Sequence, residues 1–195
     1  MTARIDFFFF LGSTYTYLTV MRIENVAREA GIEVRWRPFN VRAIMKEQDN
    51  NPFMTKPVKM RYMWRDLERR AARHGIAFDR SPEYPIDPEL LANRVATVAA
   101  AEGWCREYVT AAYRGWFLDR QLPHDPAHLN RTLEQLGQDP ERVIELADSG
   151  ETAKAFEGAT DKARALGIFG SPSFAVGSEI FWGDDRLEDA LDWCA

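Results

Sequence analysis

The sequence predicts an α/β fold. A mixed sheet is assembled from the two ends of the chain, and an all-α domain is inserted after the second strand. Three observations carry this. A continuously apolar, β-prone run at Arg4–Phe10 leads into a helical stripe and then an alternating strand. Residues from about 41 to 150 carry helical signals only. From Thr152 onward the order helix, strand, strand, helix follows. The expected division is 1–42 and 151–195 for the two parts of the sheet-bearing domain, with 43–150 as the insertion.

Arg-Ile-Asp-Phe-Phe-Phe-Phe at 4–10 has the unbroken apolar character of a central strand covered on both faces. Gly12-Ser13-Thr14 breaks it, and Tyr15–Ala30 reads as one helix with Tyr17, Val20, Ile23, Ala27 and Ala30 on one stripe. Ser13 or Thr14 suits its N-cap, and Gly31 its end. Ile32–Phe39 alternates apolar and polar residues, as a half-exposed strand does, and Pro38 closes it or marks an edge. Strand, helix and strand with short joints make a βαβ unit.

Beyond Phe39 come a short helical patch at Ala43–Gln48, an Asn50-Asn51-Pro52 breaker and a strong helix over Val58–His74. Asp87-Pro88 opens an Ala-rich helix over Glu89–Gly103, and Trp104–Asp119 reads as another. Asp125-Pro126 and Asp139-Pro140 each place an N-cap directly ahead of a helical proline. Thr152–Leu166 is one more helix, stopped by Gly167. Then come the Gly170-Ser171-Pro172-Ser173 turn, a hairpin of Phe174–Val176 and Glu179–Trp182, and a last helix over Asp184–Trp193. A proline directly ahead of a strand fits its first position. The tight turn suits a cis Ser171-Pro172 bond as well as an ordinary loop proline.

The net charge of −5, with lysines and arginines spread along the chain, argues against a nucleic-acid partner. The longest apolar run, Phe7–Gly12, is too short to span a membrane, and Met1–Asp6 carries no signal-peptide pattern, so a cytoplasmic location is expected. Cys105 and Cys194 form no Cys-x-x-Cys pair, and Pro126 separates His124 from His128, so neither a dithiol centre nor a metal site is expected.

The element order is that of a thioredoxin fold with a helical insertion. The sequence resembles the glutathione-dependent 2-hydroxychromene-2-carboxylate isomerases and the kappa-class glutathione transferases along essentially its whole length. The most specific pieces are Gly167-Ile168-Phe169-Gly170-Ser171-Pro172-Ser173-Phe174 and Phe181-Trp182-Gly183-Asp184-Asp185-Arg186-Leu187. Asp6–Phe9, Ser13-x-Tyr15-x-Tyr17-Leu18, Trp36–Phe39, Met45-Lys46 with Asn50, and Lys59-x-x-Tyr62-Met63 support them. The resemblance implies glutathione as cofactor, a small aromatic substrate and a homodimer. It implies that Ser13 contacts the glutathione sulfur and that Ser171-Pro172 pairs with the cysteinyl backbone. Asp184 and Asp185 would hold the γ-glutamyl end, with Asn50 and Lys59 as further polar contacts.

The chemistry is sound on its own terms. A free thiol is only a few per cent thiolate at neutral pH, and a hydroxyl at a helix N-terminus stabilises the anion by hydrogen bond and by the helix dipole. Taken alone, Ser13 also fits a plain N-cap, Asp184-Asp185 a favourable acidic first turn, and Asn50 and Lys59 ordinary surface residues. The chain departs from the family pattern at Thr14, where a proline is common, and at Phe10, where an aspartate is common. The leading expectation is an isomerase. A transferase forming stable conjugates and a non-catalytic thioredoxin-like module are the alternatives.

Overall fold

The computed structural model describes residues 3–50, 53, 56–79 and 81–194. Asn51 and Pro52 of the expected breaker, and Met1 and Thr2, lie outside the described residues. β1 (Arg4–Phe9) pairs parallel with β2 (Glu33–Pro38) and antiparallel with β3 (Ser173–Val176). β3 pairs antiparallel with β4 (Glu179–Trp182), giving the mixed order β2-β1-β3-β4. The phenylalanine run of β1 is buried on both faces, as a central strand requires. Ile5, Phe7, Phe9 and Leu11 enter one core cluster; Phe8 and Phe10 enter a second with Phe39, Ile44 and Ile168. The ring of Phe7 meets Trp36 edge-on at 5.0 Å and stacks on Phe174 at 5.6 Å, so one side chain ties three strands together.

The helix expected over Tyr15–Ala30 is two helices, α1 (Thr14–Val20) and α2 (Ile23–Glu29). The chain turns at Met21-Arg22, where Arg22 leaves helical geometry and its guanidinium reaches Asp184 and Glu188. Periodicity does not register the break, because Val20, Ile23 and Ala27 are buried on both sides of it.

The inserted block comprises α3 (Val41–Glu47), α4 (Pro57–Arg73), α5 (Leu91–Glu102), α6 (Cys105–Arg114), α7 (Pro126–Gln135) and α8 (Pro140–Asp148). Both aspartate–proline starts behave as caps: Asp125 accepts the His128 N–H at 2.9 Å and Asp139 the Glu141 N–H at 3.1 Å. α5 begins two residues later than expected, since Asp87 and Leu90 are both left-handed and the Asp87 carboxylate reaches forward to the N–H groups of Ala92 and Asn93. α6 does not run to Asp119; it widens into a π-helical turn over Gly115–Asp119. His128 packs there so closely that a Cβ on Gly115 would lie 2.5 Å from its Nε2. α9 (Gly150–Ala165), capped by Ser149, returns the chain to the sheet, and a 3₁₀ turn at Asp184–Arg186 leads into α10 (Leu187–Cys194). The larger core cluster runs from β1 and α1 through Met63 and Leu67 of α4 to Val95 of α5 and Tyr113 of α6. Among the described residues, no helix is long and apolar enough to cross a membrane.

Candidate active site

Ser13 occupies the N-cap position of α1, but its side chain caps nothing. Its hydroxyl donates instead to the Ser171 carbonyl at 2.7 Å, spanning the space between the β1–α1 loop and the turn before β3. The Ser171-Pro172 bond is cis. The contact is held from behind. The Ser171 hydroxyl accepts the Phe10 N–H at 2.9 Å and lies 3.0 Å from the Thr16 hydroxyl. The Phe10 carbonyl accepts the Ser13 N–H at 3.0 Å and the Tyr113 hydroxyl at 3.0 Å, and Tyr113 also lies 2.9 Å from the Ser13 carbonyl. Buried Asn93 grips Leu11 twice, accepting its N–H and donating to its carbonyl, both at 2.8 Å. Phe10, Leu11 and Ser13 therefore sit in a network of satisfied polar groups, which holds Ser13 in one place.

The other wall is aromatic. Phe169 and Trp182 are 39% and 54% exposed and meet edge-on at 4.8 Å. Gly170 lies under the indole, where a Cβ would come within 2.2 Å of Trp182 Nε1. The Gly183 N–H donates to the Pro172 carbonyl at 3.0 Å, which fastens the Asp184-Asp185 corner to the same turn. Gly183 has φ 113, and a Cβ there would meet Asp185 Oδ1 at 2.5 Å, so the corner requires glycine on both counts.

The two aspartates differ. Asp184 is 1% exposed, and its oxygens are already engaged. Oδ1 accepts from Arg22 Nε at 3.0 Å and Thr19 at 3.2 Å, and Oδ2 from Arg70 at 2.7 Å. Burial acts to lower the Arg22 pKa, but its hydrogen bond to Glu188 and the charge of Asp184 outweigh it and the net shift is upward. The ligand contact implied for Asp184 by resemblance thus meets a carboxylate committed to bracing α1 and α4. The side chain of Asp185 is 50% exposed, with Arg186 as its ion-pair partner.

One face of α4 lies along α1. Met63 sulfur accepts from Thr14 at 3.1 Å, Asp66 accepts from the Tyr15 hydroxyl at 2.9 Å, and Arg70 meets Asp184. Burial, then the bond to Asp66, raises the Tyr15 pKa. Lys59 lies one turn before Met63 on this face, exposed, with Nζ 5.6 Å from the Phe53 ring centre. Asn50 is exposed just after α3. Ser13, Ser171, Pro172 and the Asp184-Asp185 corner are joined by direct hydrogen bonds, whereas Asn50 and Lys59 make no bond to that group among the described residues. α1 has only seven residues, so the dipole support expected from a long helix is reduced. Two open concavities, of about 450 and 230 Å³, lie elsewhere: one beside Arg28 and Arg114, the other beside Trp36 and Ala155.

Sequence reasoning missed Tyr113, Asn93 and Thr16. Tyr113 and Asn93 sit in helical patterns that explain them as core, and their partners are about a hundred positions away, so no local signal marks them.

Residues 4–192 match the DsbA-like thioredoxin domain. The chain is 30% identical over 191 residues to a 2-hydroxychromene-2-carboxylate isomerase of Sphingobium xenophagum, covering 96% of each. It is 26% identical to glutathione S-transferase kappa 1 of Caenorhabditis elegans, over 97% of this chain and 89% of that one. A solved 2-hydroxychromene-2-carboxylate isomerase superposes with a TM-score of 0.86 at 24% identity, covering 97% of this chain and 95% of that one.

Proposed function

The chain belongs to the DsbA-like thioredoxin domain family and, within it, to the 2-hydroxychromene-2-carboxylate isomerase family, and from that premise we propose a glutathione-dependent isomerase acting on an aromatic 2-oxo-enoic acid in the breakdown of aromatic compounds. The observation that carries the reading is the Ser13 hydroxyl, half-buried and directed at the Ser171 carbonyl of the cis-proline turn. The disulfide chemistry of the wider family needs paired thiols. Here the first helix opens with serine, Cys105 is buried and Cys194 lies on the last helix.

The donor set fits a tripeptide thiol. When bound, glutathione supplies a thiol nucleophile that adds to a conjugated carbon and is released unchanged, splitting one hard step into two easier ones. The Ser13 hydroxyl has one proton, here donated in a hydrogen bond to the Ser171 carbonyl. Turned toward a thiolate, it stabilises the anion and frees that carbonyl to accept a peptide N–H. Asp185, half-exposed, offers a carboxylate to an ammonium, and Asp184 acts as the brace that keeps the corner in place. Lys59 and Asn50 serve as outer polar contacts. Phe169 and Trp182, packed edge to face, give an exposed apolar surface beside Ser171 for an aromatic ring. The same reading carries a homodimer and a cytoplasmic location.

Calorimetric titration with glutathione, on wild type and Ser13→Ala, tests the site, and product analysis with a chromene-type substrate tests the reaction. Glutathione regenerated with the isomer formed is the expected outcome. A stable conjugate would favour a transferase, the reading that the likeness to glutathione S-transferase kappa 1 supports. Absence of glutathione binding would leave a non-catalytic module.

A further inference from the structure

Arg42 is the second residue of α3, directly after β2, and therefore stands where the parallel strands β1 and β2 end. That edge is where ligands bind in parallel α/β arrangements. Its guanidinium lies over the Phe10 ring, 4.8 Å from the centre, and donates to the carbonyl of Asp87 at 2.7 Å and to that of Ile86. It forms no ion pair among the described residues. The carboxylate of Asp87 is occupied by the N–H groups of Ala92 and Asn93 and by the Asn93 amide. Inward-facing cations are ordinarily paired, because removing a charge from water is costly. Burial lowers the Arg42 pKa, but an arginine keeps its proton in any protein setting. Arg42 is thus a half-buried cation with two dipoles and a ring face as its direct partners; the Asp87 carboxylate acts on it through space without forming an ion pair.

Gly12 brings this charge to the site. A Cβ on Gly12 would lie 3.5 Å from Arg42 Nη2 and 2.9 Å from Phe10 Cε1, so the absent side chain leaves the guanidinium against the residue that precedes Ser13. Adding the Cα–Cβ bond and the step of about 3.8 Å between neighbouring Cα atoms puts Nη2 within roughly 9 Å of the Ser13 Cα.

We propose that Arg42 is the fixed counter-charge for the thiolate held by the Ser13 hydroxyl, acting through space from the β2 side of β1 while Ser171 and Pro172 close the β3 side. The proposal rests on the glutathione reading above. The sulfur would lie beyond the Ser13 hydroxyl, farther out than the Ser13 Cα; a unit charge roughly 11 Å away, at an effective dielectric of about 20, moves a thiol pKa by roughly one unit. The other ionisable groups around this edge are Asp87 and Tyr84, which face Arg42. Beyond them are His124, which accepts the Asp87 N–H at 3.1 Å, Tyr113 at the Ser13 carbonyl, and the Tyr15–Asp66 pair. None of these is a second cation fixed beside Gly12.

The test follows the ultraviolet absorbance of the thiolate against pH, with glutathione bound to wild type, Arg42→Met, Arg42→Lys and Phe10→Asp. Binding of glutathione is measured separately by calorimetry. Arg42→Met is expected to raise the bound thiol pKa by about one unit and Arg42→Lys to leave it nearly unchanged. Phe10→Asp, which keeps the bonds to Ile86 and Asp87 but sets a carboxylate under the guanidinium, is expected to raise it by a similar amount. If Arg42→Met fails to fold, Arg42→Gln, which keeps donors toward Ile86 and Asp87 without the charge, decides. Glutathione bound with the same thiol pKa as wild type in the folded neutral Arg42 variants overturns the proposal. Failure of wild type to bind glutathione removes instead the reading on which it stands.

Discussion

The Tyr113 hydroxyl lies 2.9 Å from the carbonyl of Ser13 and 3.0 Å from that of Phe10, so one buried side chain of the inserted helices holds both ends of the loop that presents the candidate nucleophile-binding serine. Burial raises its pKa, and the phenol stays a protonated donor throughout the physiological range. Tyr113→Phe keeps the ring packing and removes the one hydroxyl donor shared by the Phe10 and Ser13 carbonyls. The expected cost is about 1–2 kcal/mol, or a fall in thermal midpoint of roughly 3–6 °C. Turnover is expected to fall about tenfold through misplacement of Ser13. Thermal melts and steady-state kinetics on the one variant check both, and a variant as stable and active as wild type would remove Tyr113 from this role.

Much of the frame was legible because its signals are local. Four phenylalanines in succession announce a strand buried on both faces, and aspartate before proline announces a capped helix. Ser13 and the Ser171-Pro172 turn were legible as a pair because the fold places the end of β1 opposite the start of β3. Hidden were the interactions that cross the chain. The break at Met21-Arg22 leaves the apolar stripe intact, so only the pull of Asp184 on Arg22, 162 positions away, reveals it. Asp184 and Asp185 look equivalent in sequence, yet Arg22 and Arg70 converge on one and leave the other at the surface. Arg42 carries no pattern at all; its place over Phe10 follows from the register of β1 and β2.

That division between the two aspartates yields a stability contrast. Asp184→Asn removes the charge that pairs two guanidiniums, whose side chains are 9% and 21% exposed, and sets an amide N–H₂ among donors. Breaking one side of a buried ion pair costs about 3–5 kcal/mol, which for a chain of this size lowers the midpoint by roughly 10 °C. Asp185→Asn, at the surface, is expected to change stability by less than about 0.5 kcal/mol and to weaken glutathione binding instead. Paired melts and titrations separate the roles. Equal melting of the two variants would mean that Asp184 is not the brace.

The same corner sets how the protein meets acid. Burial, then the charge of Arg22, lowers the His74 pKa below its ordinary 6.5, and burial with Arg131 does the same for His128. For Glu188, burial acts to raise the pKa, but the hydrogen bond and charge of Arg22 prevail and hold it below its ordinary 4.5. In all three the unfolded chain binds its proton at a higher pH than the folded one, so stability rises with pH across each interval. Read downward, stability is constant above the ordinary histidine value and then declines below about pH 6.5 as the unfolded chain takes up protons at His74 and His128. A second decline below about pH 4.5 follows, as the Glu188 bond to Arg22 is lost; this step is small, because Glu188 is half-exposed and screened. Melting midpoints measured from about pH 8 down to pH 4 should therefore fall first near pH 6. His74→Gln should flatten part of that first step and slightly reduce the second, because the His74 charge helps to hold the Glu188 pKa down. A midpoint that rises on acidification from neutrality would contradict the direction assigned to both histidines.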